Sequence, residues 1–199
     1  MTAHSLRSSK HDLILAKGAQ VMSRRGYHGT GVQEIVQAAG VPKGSFYHYF
    51  ASKEDFSLQA LEFFYEPRLQ RYAEALARRN LSPGQRVIGY YSEVIGHFAR
   101  QEQIEYHCFI GTLSFEMAEL SQPIGRCVED ILQRSTRILA DCLQEARAAG
   151  ELPEGQDCLA LAEFIGNAWE GALMRMKVGG TVAPLNIFLD QLQRMLAPR

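Results

Sequence analysis

Residues 30–53, TGVQEIVQAAGVPKGSFYHYFASK, leave this chain few options, because they carry the punctuation of two short helices joined by a tight turn. Thr30 and Gln33 have the spacing of a capping box, in which the hydroxyl accepts one orphan amide and the side-chain amide answers another. Val32, Ile35, Val36 and Ala39 then recur at helical spacing. Gly40 follows as a helix terminator, and Pro42 sits where a new helix tolerates proline in its first turn. In that second helix Phe46 and Phe50 are four apart and can bury together, which leaves Lys43, Ser45, Tyr47, His48 and Tyr49 pointing outward or sideways. A soluble protein gains little from such a display. A DNA groove uses it: lysine for a base edge or phosphate, hydroxyls and histidine for phosphate oxygens.

The run AGVPKGSFYHYFASKEDF at 39–56, preceded by RRGY at 24–27, resembles the helix-turn-helix of the TetR family of bacterial repressors. The resemblance implies an all-α fold of about nine helices. It implies a DNA-binding head over residues 1–51 and a helical ligand-binding and dimerisation body over residues 52–199. It also implies a homodimer on a palindromic operator, released by a small-molecule effector. Pro42 stands where many members carry Ser or Thr, so no phosphate contact is carried over to it.

Charge is distributed as that layout requires. Seven Lys or Arg in residues 1–53 face only Asp12 and Glu34, a net of +5, whereas the remainder nets −6. A basic head on an acidic body is expected when one end meets phosphate. No apolar run reaches the length of a membrane span and no signal-peptide core is present, so a cytoplasmic location is expected. Cys108, Cys127, Cys142 and Cys158 show no zinc-finger spacing and are expected to be thiols. No cofactor or metal is implied; His97, Glu105, His107 and Cys108 match no ligand pattern.

The rest of the chain reads as helix. Ser9 and Asp12 cap a first helix with Ile14, Gly18, Val21 and Met22 on one face, ending at Gly26, with Tyr27 packing back. A long helix begins at Ser52 to Asp55, and Pro67 within it is expected to kink or break it. Further helices are expected near 84–101, 105–119, 123–149, 157–178 and 184–196.

The expected DNA contacts are Lys43 to a base edge, Gly44 for close backbone approach, and Ser45, Tyr47 and His48 to phosphates. Thr30 is expected to combine capping with a phosphate contact, and Lys53 to pin the other side of the DNA backbone. A dimer interface is expected from Phe164, Ala168, Gly171 and Ala172 with Ile187, Phe188, Leu192 and Met195; the alternative is that these stripes fill the monomer core. An effector pocket is expected among Tyr91, Phe115, Trp169 and Glu170.

Cys108, in EYHCFIGTLSFEMAELS, falls at a helix start, where the dipole favours thiolate. This segment, with WEGALMRMK at 169–177, resembles a branch of the family that responds to electrophiles or acrylate-like compounds. In that branch a glycine precedes the cysteine; here His107 does. An inert buried cysteine is the alternative. Two further classes remain open: an all-helical enzyme using Cys108 with His107 or His97, and a DNA binder without a ligand. No nucleophile, base and orienting group are legible together, so catalysis is not expected.

Overall fold

The structure, a computed structural model, describes residues 9–196; the first eight positions of the expected head and the last three of the body lie outside them. Among the described residues there are nine α-helices and no strand. None of these helices is long and apolar enough to cross a membrane.

Helix α1 spans Lys10–Arg25. Ser9 accepts the amide of Asp12 at its start, and the Gly26 amide donates to the Met22 carbonyl at its end. Helix α2 spans Val32–Ala39, and Gly40 closes it in the left-handed conformation. Its N-terminus corrects the expected cap. The N-cap is Gly31, whose amide donates to the carboxylate of Glu34, three residues on. Thr30 is fully buried one position earlier, and its hydroxyl donates to the Gly26 carbonyl at 2.7 Å. Gln33 is left exposed. A carboxylate in the first turn answers both the orphan amides and the positive end of the helix, an advantage Gln33 lacks.

Helix α3, Lys43–Tyr49, starts after Pro42 and presents Phe46 to the core. Helix α4 runs unbroken from Lys53 to Leu76 with Pro67 inside it, so the expected break does not occur. Pro67 is exposed, and its missing amide costs one rung of the ladder. One residue on, the Arg68 guanidinium donates to the Phe64 carbonyl at 2.6 Å and lies over the Phe64 ring, adding support on the same turn.

Helix α5 spans Pro83–Ala99 behind a Ser82 and Gln85 capping box. Helix α6, Phe109–Met117, is shorter than the expected 105–119, and Cys108 is its N-cap. Helices α7 (Gln122–Ala148), α8 (Cys158–Gly179) and α9 (Ala183–Met195) complete the chain, each within a few residues of expectation.

These helices form two compact units. One ends at Arg68 and resumes over His107–Ile131; the other covers Leu69–Tyr106 and resumes at Leu132. The first unit holds α1 to α3, α4 as far as Arg68, α6 and the start of α7. In the first unit Ile14, Met22, Ile35, Phe46, Phe50 and Phe56 are essentially fully buried. Packing there is close enough that a methyl group at Gly18 would lie 2.5 Å from the Phe56 ring and 2.7 Å from Ile35, so only glycine lets α1 approach α2 and α4. In the second unit Tyr91, Leu143, Ile165, Met176, Leu185 and Leu192 belong to one hydrophobic core.

Candidate nucleic-acid interface and sensor region

The surface of α3 is built on two buried rings. Phe46 and Phe50 lie with centroids 5.1 Å apart, and Phe56 of α4 closes on both. With that face anchored, helical geometry turns Lys43, Gly44, Tyr47 and His48 to solvent. Tyr47 keeps 58% of its surface exposed, a large value for an aromatic side chain. Ser45 is half-buried, and its amide donates to the Pro42 carbonyl at 2.9 Å. Tyr49 is half-buried beside His11, whose ring stacks on Phe50 with centroids 5.3 Å apart.

Two expected DNA contacts are not laid out as the spacing implies. The hydroxyl of Thr30 is buried and committed to Gly26, so it cannot reach a phosphate. Lys53 is half-buried, and its ammonium donates to the carbonyls of Tyr27 at 2.9 Å and Thr30 at 3.1 Å while lying over the Tyr27 ring. Its lysine pKa is lowered by desolvation, against the opposing pull of Glu116 and Glu34. In the described structure Lys53 fastens the turn between α1 and α2 to α4. Carbonyls that end a turn offer a lysine fixed partners that water cannot match in a partly desolvated site.

The expected sensor residues divide between the two units. In the first, Cys108 is half-buried at the start of α6, and the Gly111 amide donates to its Sγ at 3.2 Å. Phe115, further along α6, is 92% exposed and lines no interior pocket, because that position faces away from the Phe109, Ile110, Leu113 and Met117 side of the helix. In the second unit Tyr91 packs against Trp169 and Phe188, with centroids 4.9 and 5.0 Å away. Its hydroxyl meets that of Tyr72 at 3.3 Å, and burial raises the pKa of both phenols, so the pair stays neutral. Glu170 is exposed on α8, and its charge adds to the rise of the Tyr91 phenol. A cleft of about 320 Å³ lies elsewhere, among Val21, Arg24, Arg25, Glu34, Gln37 and Ala38, without an aromatic lining residue.

The expected interface stripe also divides. Phe164 and Ile187 are 58% and 64% exposed, and Gly171 is exposed with them. Ala168 is half-buried. Ala172, Phe188 and Leu192 are buried in the core of the second unit, and Met195 packs partly against it. Phe188 packs inward against Tyr91 of α5 and Trp169 of α8.

A family model described as "Bacterial regulatory proteins, tetR family" matches residues 14–60, and one described as "Tetracyclin repressor-like, C-terminal domain" matches residues 84–192. The chain belongs to the TetR family. This TetR-family chain is 32% identical over 185 residues to the HTH-type transcriptional repressor DhaR of Mycobacterium sp. (strain GP1), covering 93% of this chain and 91% of that protein. It is 30% identical over 194 residues to the HTH-type transcriptional repressor NemR of Escherichia coli (strain K12), covering 96% and 97%. The crystal structure of the reduced form of E. coli NemR superposes with a TM-score of 0.88 at 29% identity, over 96% of this chain and 98% of that one. As a TetR-family protein the chain is a DNA-binding transcriptional regulator, which agrees with the helix-turn-helix read from residues 30–53.

Two residues of the first unit of this TetR-family chain were invisible to spacing arguments. His11 links helices through Nε2 to Gln59 at 3.0 Å and through its stack on Phe50. Glu116 of α6 accepts the backbone amide of His28 at 3.0 Å. The partners lie 48 and 88 positions away in the chain, and no local pattern encodes pairings at such separations.

Proposed function

We propose that this TetR-family regulator represses transcription as a homodimer on a palindromic operator and is released by a small-molecule effector. The observation that carries the reading is α3 itself, whose Phe46 is buried while Lys43, Gly44, Tyr47 and His48 are exposed on its surface. In the major groove Lys43 meets a base edge, guanine O6 or N7 being its best acceptors. Tyr47 and His48 meet phosphates, with Ser45 at the margin, and Gly44 allows close approach. One such head covers few base pairs, so a second is required about one helical turn, roughly 34 Å, away. The exposed Phe164, Gly171 and Ile187 are the surface assigned to that partner copy. The direct test is a titration of duplexes selected by the protein from a random-sequence pool. A steep salt dependence and a large preference over random DNA are expected; equal affinity for both would reject the assignment.

The effector reading centres on Cys108. Its support is a half-buried thiol at a helix N-terminus with an amide donated to sulfur, an arrangement that favours thiolate. An α,β-unsaturated carbonyl compound is the matching electrophile: Sγ bonds to the β carbon and the thiol proton ends on the α carbon. Release of DNA then requires the adduct to favour a head position with lower operator affinity. Cys108→Ser should keep operator binding and lose the response to acrylate or N-ethylmaleimide. A retained response moves the trigger to noncovalent binding near Tyr91 and Trp169.

A further inference from the structure

We propose that Glu116 is a positioning residue for operator binding: from α6 it holds the turn between α1 and α2, and with it the start of α2, in the place from which α3 can engage DNA. The inference rests on the DNA-binding reading of α3. It begins from the fit of one carboxylate into one turn. Oε2 of Glu116 accepts the His28 amide at 3.0 Å. The other oxygen occupies the space beside Gly26, where an added Cβ would lie 2.0 Å from Oε1. Gly26 has φ +83°, a conformation that favours glycine, and the missing side chain leaves room for the carboxylate beside it. Three residues before, Ser23 offers its carbonyl to the hydroxyl of Thr112, one helical turn before Glu116, at a long 3.5 Å.

The same turn is held a second time. Lys53 of α4 donates to Tyr27 and Thr30, the residues that flank His28 and Gly29. Glu116 contributes to the field that keeps this partly desolvated ammonium charged. Residues 26–30 are therefore gripped by a cation from α4 and an anion from α6. Helix α2 begins two residues beyond, at Val32, and Gly40 to Pro42 passes directly from it to α3. A backbone turn fixed by two side chains transmits its position to the helix it precedes. A surface carboxylate with no such partner would transmit nothing. Because α6 has only nine residues and Cys108 caps its other end, the latch and the proposed sensor lie on one short rigid element.

The test compares wild type, Glu116→Ala and Glu116→Gln on a duplex that the wild-type protein selects from a random pool. Glu116→Ala should weaken operator binding about tenfold, the value of one hydrogen bond to a charged group. The slope of log K against log salt should stay at the wild-type value, since no phosphate contact is removed. Glu116→Gln keeps an acceptor oxygen and should stay within about threefold of wild type. Amide exchange at His28 should accelerate in the alanine variant and not in the glutamine variant. Accelerated exchange with operator affinity within about twofold of wild type overturns the proposal, because the contact then clamps without positioning. If Glu116→Ala loses its helical circular dichroism, Glu116→Asp, which withdraws the charge by one methylene, carries the same expected and overturning results. Wild-type protein that selects no duplex overturns the reading of α3 as well, which separates the two failures.

Discussion

The ammonium of Lys53 lies 4.1 Å from the centroid of the Tyr27 ring and donates to the carbonyl of that same residue at 2.9 Å. A cation held by a ring face and two carbonyls of one turn stabilises the head before any DNA arrives. Lys53→Ala should lower the unfolding free energy by about 1–2 kcal/mol, read as a shift of the urea midpoint at constant slope. Lys53→Arg should rescue little, because a planar fork does not reproduce three rotatable donors at this distance.

Lys43 is exposed at the first position of α3, with no core role to confuse its reading. Lys43→Ala should cost on the order of 1–3 kcal/mol of operator affinity and relax base preference at one position of each half-site. Competition between the selected duplex and its single-base variants measures this directly. Unchanged discrimination would move Lys43 from base edge to phosphate.

Phe164 and Ile187 are exposed, whereas Phe188 next to Ile187 is buried. Replacing Phe164 and Ile187 together by Asp should yield folded monomer by sedimentation, with helical signal retained and operator binding lost. Phe188→Ala should instead cost about 3–5 kcal/mol of stability, because it empties space against Tyr91 and Trp169. A double Asp variant that stays dimeric assigns the interface elsewhere.

Arg86 is buried and donates to the Leu76 carbonyl and to Glu145, each at 2.7 Å; Arg79 reaches the same carboxylate at 3.0 Å. The hydrogen bond from Arg86 holds the Glu145 carboxyl below its ordinary 4.5. A depressed carboxyl binds fewer protons folded than unfolded, so its stabilisation is complete above that ordinary value and is lost as pH falls through the folded one. Denaturant unfolding between pH 6 and 3 should show this loss in wild type and a shallower one in Glu145→Gln. The variant should also be less stable at neutral pH, since the Arg86 charge loses its counter-ion. Identical pH profiles would remove Glu145 from the acid response.

Local rules carried much of this fold into view. Ser9, Gly26 and Gly40 announce helix ends through bonds within a few residues, and those ends lie where expected. Phe46 and Phe50 announced their own burial by spacing, and so fixed which side of α3 is displayed. Choices between neighbours were less legible. Thr30 and Gln33 share their spacing with Gly31 and Glu34, and what decides between them is the burial of Thr30, whose hydroxyl donates four residues back to the Gly26 carbonyl. Phe115 and Phe188 are equally apolar in sequence, yet one is displayed and the other enclosed, because only packed partners define which stripe of a helix is inside. Pro67 is a strong local stop signal that the continuous α4 overrides.

The four thiols are graded by depth: Cys108 and Cys127 are half-buried, while Cys142 and Cys158 are buried. Burial pushes the Cys142 thiol up to about 11 and raises Cys127 as well, which slows both as nucleophiles. The unmodified chain therefore carries its own stopwatch for local opening. A mild thiol reagent should mark Cys108 first, Cys127 more slowly, and the deep sulfurs only as fast as the helices around them part.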